Sequence, residues 1–294
     1  MKIIAGPASR ELSHRIAEIL KADLIEAAHK IFPDGESYIR LDGDIRGENI
    51  VIVQTISPPQ DSRLMQLAFM ADAAKRAGAN RIIAVVPYLA YARQDRVFLP
   101  GEPVSIEVIA KMLWAAGIDC LVTVNIHQAK VLERFPMMTR NLSAIPLLAE
   151  YLKRRGLEGA FALAPDKGAI HIAEEAARIL GGGYGYLEKQ RDRYTGQITV
   201  TEKAFNVKDK RVIIFDDIIS TGGTMVAAAK LLRSHGASSI YVACVHPLLV
   251  GDAEKRIMEA GVEEVIGTDS VPSHVSKVSI ASIICNELKE FQRG

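Results

Sequence analysis

Residues 212–224 read VIIFDDIISTGGT: four apolar residues, two adjacent acids, and a short run of hydroxyl residues and glycine. A run that is apolar at every position is typical of a strand buried on both faces, as in a parallel sheet covered by helices. In such a sheet, ligands bind beyond the carboxyl ends of the strands. We therefore expect a strand that ends at Phe215 and brings Asp216 and Asp217 to the mouth of a ligand site.

The segment that follows the two acids has the composition of an anion-binding turn. Glycine permits a tight turn, backbone N–H groups face inward, and the next helix presents the positive end of its dipole. The residues that we expect to hold a phosphate here are Ser220, Thr221, Gly222, Gly223 and Thr224.

Carboxylates next to a phosphate site limit the kind of ligand. Asp216 and Asp217 would repel a phosphate unless they accept hydrogen bonds from hydroxyls of the same ligand or act through Mg²⁺. A pentose phosphate meets both demands, with its hydroxyls on the acids and its 5-phosphate on the loop. The alternative is an ordinary strand-to-helix turn, with aspartate as a cap and glycine for geometry.

The composition excludes several other classes of protein. The 294 residues, 49% of them hydrophobic, are enough for about two domains with buried cores. A net charge of +1 is too small to attract nucleic acid or an anionic membrane through the overall charge of the protein. Cys120, Cys244 and Cys285 show no CxxC spacing, which predicts reduced thiols without disulfide or zinc. The sequence shows neither a signal peptide nor an apolar run of membrane-spanning length, so we expect a cytoplasmic protein with small-molecule partners.

Short apolar runs alternate along the chain with segments of helical period, which predicts an α/β fold with parallel sheets. The runs that we interpret as strands are 50–53, 82–86, 121–125, 161–164, 212–215 and 240–245. Residues typical of helix caps predict one helix between Ser62 and Gly78 and another between Thr224 and Gly236.

The two halves of the chain repeat one pattern. Segments 49–87 and 211–247 both read as strand, loop, helix, Gly-Ala, strand and proline. A repeat of half the chain predicts two copies of one α/β domain rather than a solenoid. The second copy alone has the acids, because Gln54 and Thr55 occupy their place in the first.

We expect the domain boundary within 135–152, where Pro136 and Pro146 interrupt the pattern. Pro146 is suited to the first turn of a new helix. The predicted domains are 1–143 and 144–294, with the last helix able to pack back on the first domain.

The stretch at 212–224 resembles the phosphoribosyl-pyrophosphate (PRPP) loop of type I phosphoribosyltransferases, in which an apolar strand leads to two acids and a T-G-x-T turn. The chain as a whole resembles the ribose-phosphate diphosphokinase family, which has two tandem phosphoribosyltransferase-like domains, each a mostly parallel sheet flanked by helices. The motifs that carry this resemblance are FPDGES (32–37), YARQDR (91–96), NIHQAKVLERF (125–135), NLSAIPLLAEYL (141–152), APDKGA (164–169) and LEKQRDR (187–193).

The resemblance implies an activity, a cofactor and partners. The activity is transfer of the diphosphoryl group of Mg-ATP to the 1-hydroxyl of D-ribose 5-phosphate, giving PRPP and AMP for nucleotide biosynthesis. It implies Mg²⁺ as the cofactor, ATP on the N-terminal domain and ribose 5-phosphate on the C-terminal domain. It further implies a homodimer or higher homo-oligomer whose nucleotide site is shared between subunits.

The resemblance also implies a set of ATP-binding residues, with FPDGES supplied by a neighbouring subunit. These residues are Phe32, Asp34, Glu36, Arg93, Gln94, Asp95 and His127. Taken alone, FPDGES is typical of a plain turn and YARQDR of a solvated charged loop, and those alternatives stay open.

The metal and catalytic residues follow from the same resemblance. His127 and Asp166 are the implied metal residues, and Lys189 and Arg191 match the family's catalytic pair, with Arg193 a weaker candidate. Mobile cations suit this role because phosphoryl transfer builds negative charge on equatorial and departing oxygens.

This sequence departs from the family pattern at two positions. Asn125 stands where the family usually has an aspartate, and Ser220 stands where many members have a third acid. Both changes remove negative charge near the expected metal and phosphate sites.

Three other functions fit parts of the sequence. A phosphoribosyltransferase that consumes PRPP would share the phosphate loop, and a noncatalytic regulatory subunit would share the fold. An ordinary kinase would release ADP instead of AMP.

Overall fold

The computed structural model describes residues 1–191, 198–201 and 206–293. The chain divides into two compact units. The first unit contains Met1–Ser143, Ser270–Pro272 and Ser279–Gly294, and the second contains Ala144–Asp269 and Ser273–Val278. The segment that includes the last helix therefore belongs to the first unit.

The first unit is built on a seven-stranded sheet that is parallel except at one edge. Its strands are β1 (Lys2–Ala5), β2 (Asp23–Ile31), β3 (Ser37–Leu41), β4 (Asn49–Val53), β5 (Arg81–Val86), β6 (Cys120–Val124) and β7 (Met138–Leu142). They lie in the order β3-β2-β1-β4-β5-β6-β7, and the antiparallel pair is the β2–β3 hairpin.

The second unit is built on a six-stranded parallel sheet. Its strands are β8 (Phe161–Ala164), β9 (Tyr184–Tyr186), β12 (Arg211–Ile219), β13 (Ser239–Pro247), β14 (Glu264–Thr268) and β15 (Ser276–Val278). They lie in the order β15-β14-β13-β12-β8-β9. The strands β10 (Glu188–Arg191) and β11 (Ile198–Thr201) form a separate antiparallel hairpin.

Helices alternate with these strands along the chain, as the sequence predicts for an α/β fold. They are α1 (Arg10–Leu20), α2 (Gln60–Arg76), α3 (Ser105–Ala115), α4 (Ile145–Leu152), α5 (Ile170–Leu180), α6 (Gly223–Ser234), α7 (Ala253–Glu259) and α8 (Ala281–Arg293). Short 3₁₀ turns cover Ala129–Arg134 and Lys167–Ala169, and a π turn at Lys153–Leu157 extends α4. Within the part of the chain that the structure describes, no helix is both long and apolar enough to span a membrane.

The core confirms the prediction of strands buried on both faces. In β12, Val212 and Ile214 join an apolar cluster on one face of the sheet, while Ile213 and Phe215 alternate with them and are fully buried. Each of the six predicted apolar runs lies largely or wholly within a strand, and Pro146 lies in the first turn of α4.

Two predicted helix starts are wrong. Ser62 lies inside α2, which begins at Gln60, and Thr224 lies inside α6, which begins at Gly223. Neither helix has a side-chain hydrogen bond at its N-cap, so these hydroxyl residues belong to the first turn instead of preceding it.

The predicted end of β12 at Phe215 is also wrong. The strand continues through Asp216 and Asp217 to Ile219. The cause is the neighbouring strand β13, whose ladder with β12 extends to a pairing of Ile219 with Pro247.

Candidate active site

The strand order of the second sheet reverses between β8 and β12. From β8, the chain adds β9 on one side, and then β12, β13, β14 and β15 on the other. Ligands of open α/β sheets bind at such a reversal, in the crevice outside the carboxyl ends of the strands. Asp166 follows β8 by two residues, and Asp216 and Asp217 lie in the last part of β12. All three acids therefore lie at the carboxyl edge of this crevice.

The two neighbours of β12 pair with it over different lengths, and only β13 extends alongside the acid pair. β8 pairs with β12 over Val212–Ile214, whereas β13 pairs with it as far as Ile219. Beyond Ile214, the side of β12 that faces β8 has no strand partner in the described sheet. Asp216 is half-buried and Asp217 is buried at this position.

The two adjacent carboxyl groups are fixed by backbone donors. The N–H of Asp217 donates to Oδ1 of Asp216 at 3.0 Å, and the N–H of Ile218 donates to Oδ1 of Asp217 at 2.7 Å. Burial raises the pKa of the Asp216 carboxyl well above its usual value, and the neighbouring Asp217 carboxylate raises it further. Asp166 adds a smaller contribution of the same sign, so the three acids share one electrostatic environment.

Asp166 is held by the turn that it begins. Its Oδ1 accepts hydrogen bonds from the N–H groups of Gly168 at 2.9 Å and Ala169 at 3.2 Å. This is the capping arrangement expected of an aspartate before a helical turn. The cap fixes the carboxyl group at the carboxyl edge of β8.

The donor set fits a hard divalent cation such as Mg²⁺. The described residues contain no ready-made group of three His, Cys, Asp or Glu side chains arranged around a metal position. Mg²⁺ commonly binds through one or two carboxylates and keeps waters and substrate oxygens as its other ligands. Beside burial, the carboxyl groups of Asp217 and Asp166 contribute to the raised pKa of Asp216, and a cation would offset this repulsion.

The predicted phosphate loop, residues 220–224, is called the phosphate loop below, and its backbone requires glycine at position 222. Gly222 has φ of +76°, in the left-handed region, and is the N-cap of α6. A Cβ atom here would lie 3.0 Å from Cδ1 of Ile257 in α7. Gly223 differs, because a Cβ atom there would meet nothing within 4 Å.

The start of α6 offers unpaired donors to an anion. The first N–H groups of any helix lack intrahelical partners, and α6 has no side-chain cap to take their place. Thr221 and Gly223 are exposed next to them, and Thr224 is half-buried. An anion at this point would cap the helix and gain from its dipole.

The equivalent crevice of the first unit is closed by internal hydrogen bonds. Gln54 and Thr55, which replace the acid pair, are fully buried after β4. Oε1 of Gln54 accepts from the N–H of Ala8 at 3.0 Å, and its Nε2 donates to Gln66 at 3.2 Å. The N–H of Thr55 donates to Oγ of Ser9 at 2.8 Å. The acid pair and phosphate loop thus belong to the second unit alone.

Two of the predicted ATP-binding segments lie together in the first unit. YARQDR follows β5 and NIHQAKVLERF follows β6, and these parallel neighbours end at the same edge. Nη1 of Arg134 donates to the backbone carbonyl of Asp95 at 3.0 Å and to Glu107 at 3.1 Å, which ties the two segments together. No sequence pattern indicates this role of Arg134, because Asp95 lies 39 residues away along the chain.

The predicted nucleotide contacts in these segments differ in exposure. Arg93 and His127 are exposed, whereas Gln94 and Asp95 are half-buried. Nε2 of Gln94 donates to Oε2 of Glu102 at 3.3 Å. The backbone N–H groups of Phe98 and Leu99 donate to the same oxygen, and they lower the pKa of Glu102.

Asn125 turns the chain at the end of β6. It has φ of +38°, a conformation that asparagine tolerates better than most residues. Its N–H donates to the carbonyl of Leu142 at 2.8 Å. This turn carries His127 out to the surface of the first unit, while Asp166 lies in the second unit.

FPDGES forms the tip of the β2–β3 hairpin. The N–H of Phe32 donates to the carbonyl of Glu36 at 2.8 Å, and Asp34 and Glu36 are exposed. The strand β2 is separated from β5 by β1 and β4, which places it three strand spacings, roughly 14 Å, across the sheet. The helix α2 connects the hairpin tip to the YARQDR segment of the same chain, because Asp61 lines a cavity with Gly35 and Glu36 and accepts a hydrogen bond from the Tyr91 hydroxyl.

The predicted catalytic residues lie on the separate hairpin. Positions 189 and 191 are in β10, where Lys189 pairs with Val200 and Arg191 with Ile198. Arg193 lies outside the described residues.

The second unit, with an acid pair and a phosphate loop at the switch point of a parallel sheet, is of the phosphoribosyltransferase class. A family model described as the phosphoribosyl transferase domain matches residues 147–276. A second model, described as the N-terminal domain of ribose phosphate pyrophosphokinase, matches residues 1–117.

Relatives and a solved structure resemble the chain over its whole length. The ribose-phosphate pyrophosphokinase of Methanobrevibacter smithii is 42% identical, over 98% of this chain and 100% of the relative. That of Methanothermobacter thermautotrophicus is 44% identical, over 98% and 100%. The crystal structure of phosphoribosylpyrophosphate synthetase from Mycobacterium smegmatis superposes with a TM-score of 0.89 at 32% identity, covering 100% of this chain and 99% of that one. The chain belongs to the ribose-phosphate pyrophosphokinase family, and it is an enzyme of PRPP synthesis.

Proposed function

We propose that the enzyme transfers the diphosphoryl group of ATP to the 1-hydroxyl of D-ribose 5-phosphate and releases AMP. The observation that carries this proposal is the arrangement at the switch point of the second sheet. There Asp216 and Asp217 lie on one strand, and the strand leads directly into the glycine loop and the start of α6.

This arrangement suits a ligand with neighbouring hydroxyls and a terminal phosphate. Asp216 and Asp217 accept hydrogen bonds from the 2- and 3-hydroxyls of the ribose, and the loop from Ser220 to Thr224 holds the 5-phosphate. Hydroxyl donors favour the charged form of a carboxylate, so sugar binding offsets the burial that raises the pKa of Asp216. The acid pair and the loop thereby fix both ends of the sugar.

The reaction is an in-line displacement at the β-phosphorus of ATP. The oxygen of the ribose 1-hydroxyl forms a bond to this phosphorus, and the bond from the phosphorus to the oxygen bridging the α-phosphate breaks. AMP leaves with the bridging oxygen, and the hydroxyl proton passes to solvent. Lys189 and Arg191 stabilise the negative charge on the departing phosphate and on the equatorial oxygens.

ATP binds through residues of the first unit. Arg93 pairs with triphosphate oxygens, Gln94 and Asp95 contact the base or ribose, and His127 lies beside the metal-bound phosphates. Phe32, Asp34 and Glu36 serve the nucleotide of a neighbouring copy in a homodimer or larger oligomer, which is the arrangement that the family resemblance implies. These last three residues are the ones that we assign to the adenine.

Mg²⁺ fits this scheme as the cofactor, with Asp166 and His127 as its protein ligands. When bound, it neutralises charge on the triphosphate and so favours attack by the hydroxyl oxygen. The carboxylate of Asp166 is a suitable hard ligand, and its capping hydrogen bonds hold it in place.

A product assay tests the proposal. The protein is incubated with Mg-ATP and ribose 5-phosphate as the only substrates, and nucleotides are separated by chromatography. We expect AMP and PRPP in equal amounts. ADP would indicate an ordinary kinase, and absence of any nucleotide product would indicate a PRPP-consuming transferase or a noncatalytic subunit.

A pair of variants connects this assay to the site. Asp217→Asn removes one of the two charges and is expected to raise the KM for ribose 5-phosphate. Asp23→Asn is the matched control, because Asp23 is exposed at the start of β2 in the first unit, outside the acid pair and the phosphate loop. Equal kinetics for the two variants would remove Asp217 from the sugar site.

A further inference from the structure

The phosphate loop is hydrogen-bonded from one side by the segment that leads from β13 into α7. The N–H of Leu249 donates to the carbonyl of Ile219 at 3.0 Å. The N–H of Val250 donates in the same way to the carbonyl of Ser220, also at 3.0 Å. Two successive carbonyls thus point toward this segment, residues 248–257, which we call the backing segment.

The next carbonyl of the loop, that of Thr221, is held by a side chain instead. Nη2 of Arg256 donates a short hydrogen bond to it. The following residue of α7, Ile257, is fully buried and lies against Gly222, so α7 is in direct contact with the loop. Three successive loop carbonyls therefore accept hydrogen bonds from the backing segment, two from backbone N–H groups and the third from Arg256.

These three hydrogen bonds also set the direction of three N–H groups. In a trans peptide, the carbonyl of one residue and the N–H of the next point to opposite sides of the chain. The peptides of this loop are trans. With the carbonyls of residues 219–221 turned toward the backing segment, the N–H groups of residues 220–222 are turned away from it. Successive N–H groups that converge on one side of a turn form an anion-binding concavity.

Arg256 acts on the last of these groups, because the Thr221 carbonyl and the Gly222 N–H belong to one peptide. Within the described residues, the N–H groups of Thr221 and Gly222 have no protein acceptor. A cationic donor on the carbonyl polarises this peptide and makes its N–H a stronger donor. The guanidinium can thus strengthen phosphate binding from the far side of the loop.

We infer that Arg256 is a positioning residue for the 5-phosphate of the sugar substrate. It orients and polarises the Thr221–Gly222 peptide, and it acts through that peptide instead of through the ligand. This inference rests on the proposed function, which assigns the phosphate to the loop. It requires that Arg256 affect the sugar phosphate and leave ATP binding unchanged.

The chain offers a matched control on the neighbouring helix. Arg233, in α6, is exposed like Arg256 and also donates to a backbone carbonyl. Its Nε and Nη2 bond the carbonyl of Gly261 at 3.3 and 3.1 Å. Arg233→Ala therefore removes the same kind of contact at a place outside the phosphate loop.

The test compares Arg256→Ala, Arg256→Lys and Arg233→Ala in the full-length enzyme. For Arg256→Ala, we expect the KM for ribose 5-phosphate to rise about tenfold, with the KM for ATP within twofold of the wild type. Arg256→Lys recovers part of this loss, since an ammonium group can also donate to the carbonyl. Arg233→Ala leaves both KM values unchanged, and both alanine variants unfold within about 2 °C of each other.

Calorimetric titration with ribose 5-phosphate and with inorganic phosphate measures binding without turnover. We expect weaker binding of both ligands to Arg256→Ala. Unchanged binding, or equal rises in both KM values with a lowered melting temperature, would overturn the inference. Failure of the wild type to form AMP would overturn the proposed function instead, and phosphate titrations of the wild type and Arg256→Ala would still test the role of Arg256.

Discussion

Asp216 and Asp217 are adjacent on β12, and the N–H of Asp217 donates to Oδ1 of Asp216 at 3.0 Å. The side chains of adjacent strand residues normally point to opposite faces of the sheet. This backbone hydrogen bond holds the Asp216 carboxyl group close to Asp217. Burial raises the pKa of Asp216 and the nearby Asp217 carboxyl group raises it further, whereas this backbone hydrogen bond acts in the opposite direction. Because folding raises this pKa, we expect the ionised Asp216 to lower the stability of the ligand-free enzyme at neutral pH, which is a common property of binding sites.

Asp216→Asn is expected to stabilise the ligand-free protein and to weaken binding of ribose 5-phosphate. Asparagine keeps an oxygen for the N–H of Asp217 and removes the buried charge. We expect the melting temperature at pH 7.5 to rise by a few degrees. Differential scanning calorimetry of the wild type, Asp216→Asn and the exposed control Asp23→Asn measures this change.

The stabilisation by Asp216→Asn depends on pH with a defined sign. A carboxyl group whose pKa is raised by folding binds more protons in the folded state, so wild-type stability falls as the pH rises from the ordinary value of 3.8 through the folded value. The advantage of the variant should therefore grow above pH 4 and be absent below it. A constant advantage at all pH values would contradict the assigned cause.

Gly222→Ala is expected to destabilise the second unit. The left-handed φ of Gly222 costs about 1–2 kcal/mol for a residue with a side chain, and the new methyl group would press on Ile257. Gly223→Ala is the comparison, since a Cβ atom there has open space. Chemical denaturation should show a loss for Gly222→Ala alone. Equal stability of the two variants would argue against the described loop geometry.

Lys189→Ala is expected to lower kcat at least a hundredfold and to leave the KM for ribose 5-phosphate nearly unchanged. This pattern follows from a contact made only in the transition state. Lys230→Ala, an exposed position on α6, serves as the control. Steady-state kinetics decides the matter, because a large rise in KM at normal turnover would assign Lys189 to substrate binding.

The assignment of the β2–β3 hairpin tip to the nucleotide of a neighbouring copy predicts active sites that are shared between copies of the chain. Phe32→Ala and Lys189→Ala damage different halves of such a site. When the two variants are denatured and refolded together, mixed dimers regain one intact site, and about a quarter of the wild-type activity should return. Activity no greater than that of the separate variants would indicate that each chain builds its own site.

The sequence predicts the framework of this fold well because its strands are short, apolar and β-branched. The runs in β4, β5, β6, β8, β12 and β13 carry that signal directly. The end of β12 escapes prediction, since aspartate disfavours strands and the partner that extends the strand, β13, is about 30 residues further along the chain. The helix starts are not predicted correctly, because the sequence does not distinguish a hydroxyl residue in the first turn of a helix from one at the N-cap.

The sequence also indicates the chemical groups of the site, but it does not show which residues from distant parts of the chain interact with them. The acids and the glycine loop are adjacent in the chain and predict a pentose phosphate together. Asp166 joins their electrostatic environment only through the pairing of β8 with β12. Arg256 reaches the Thr221 carbonyl across 35 residues, a relationship that no local pattern encodes.

The identity of the transferred group tests the account most directly, and ³¹P NMR of a reaction with Mg-ATP and ribose 5-phosphate reports it. We predict that the β- and γ-phosphorus signals of ATP disappear together, that the diphosphate signals of PRPP replace them, and that the α-phosphorus becomes the monophosphate of AMP. Loss of the γ-phosphorus alone, with the α- and β-signals becoming those of ADP, would contradict diphosphoryl transfer.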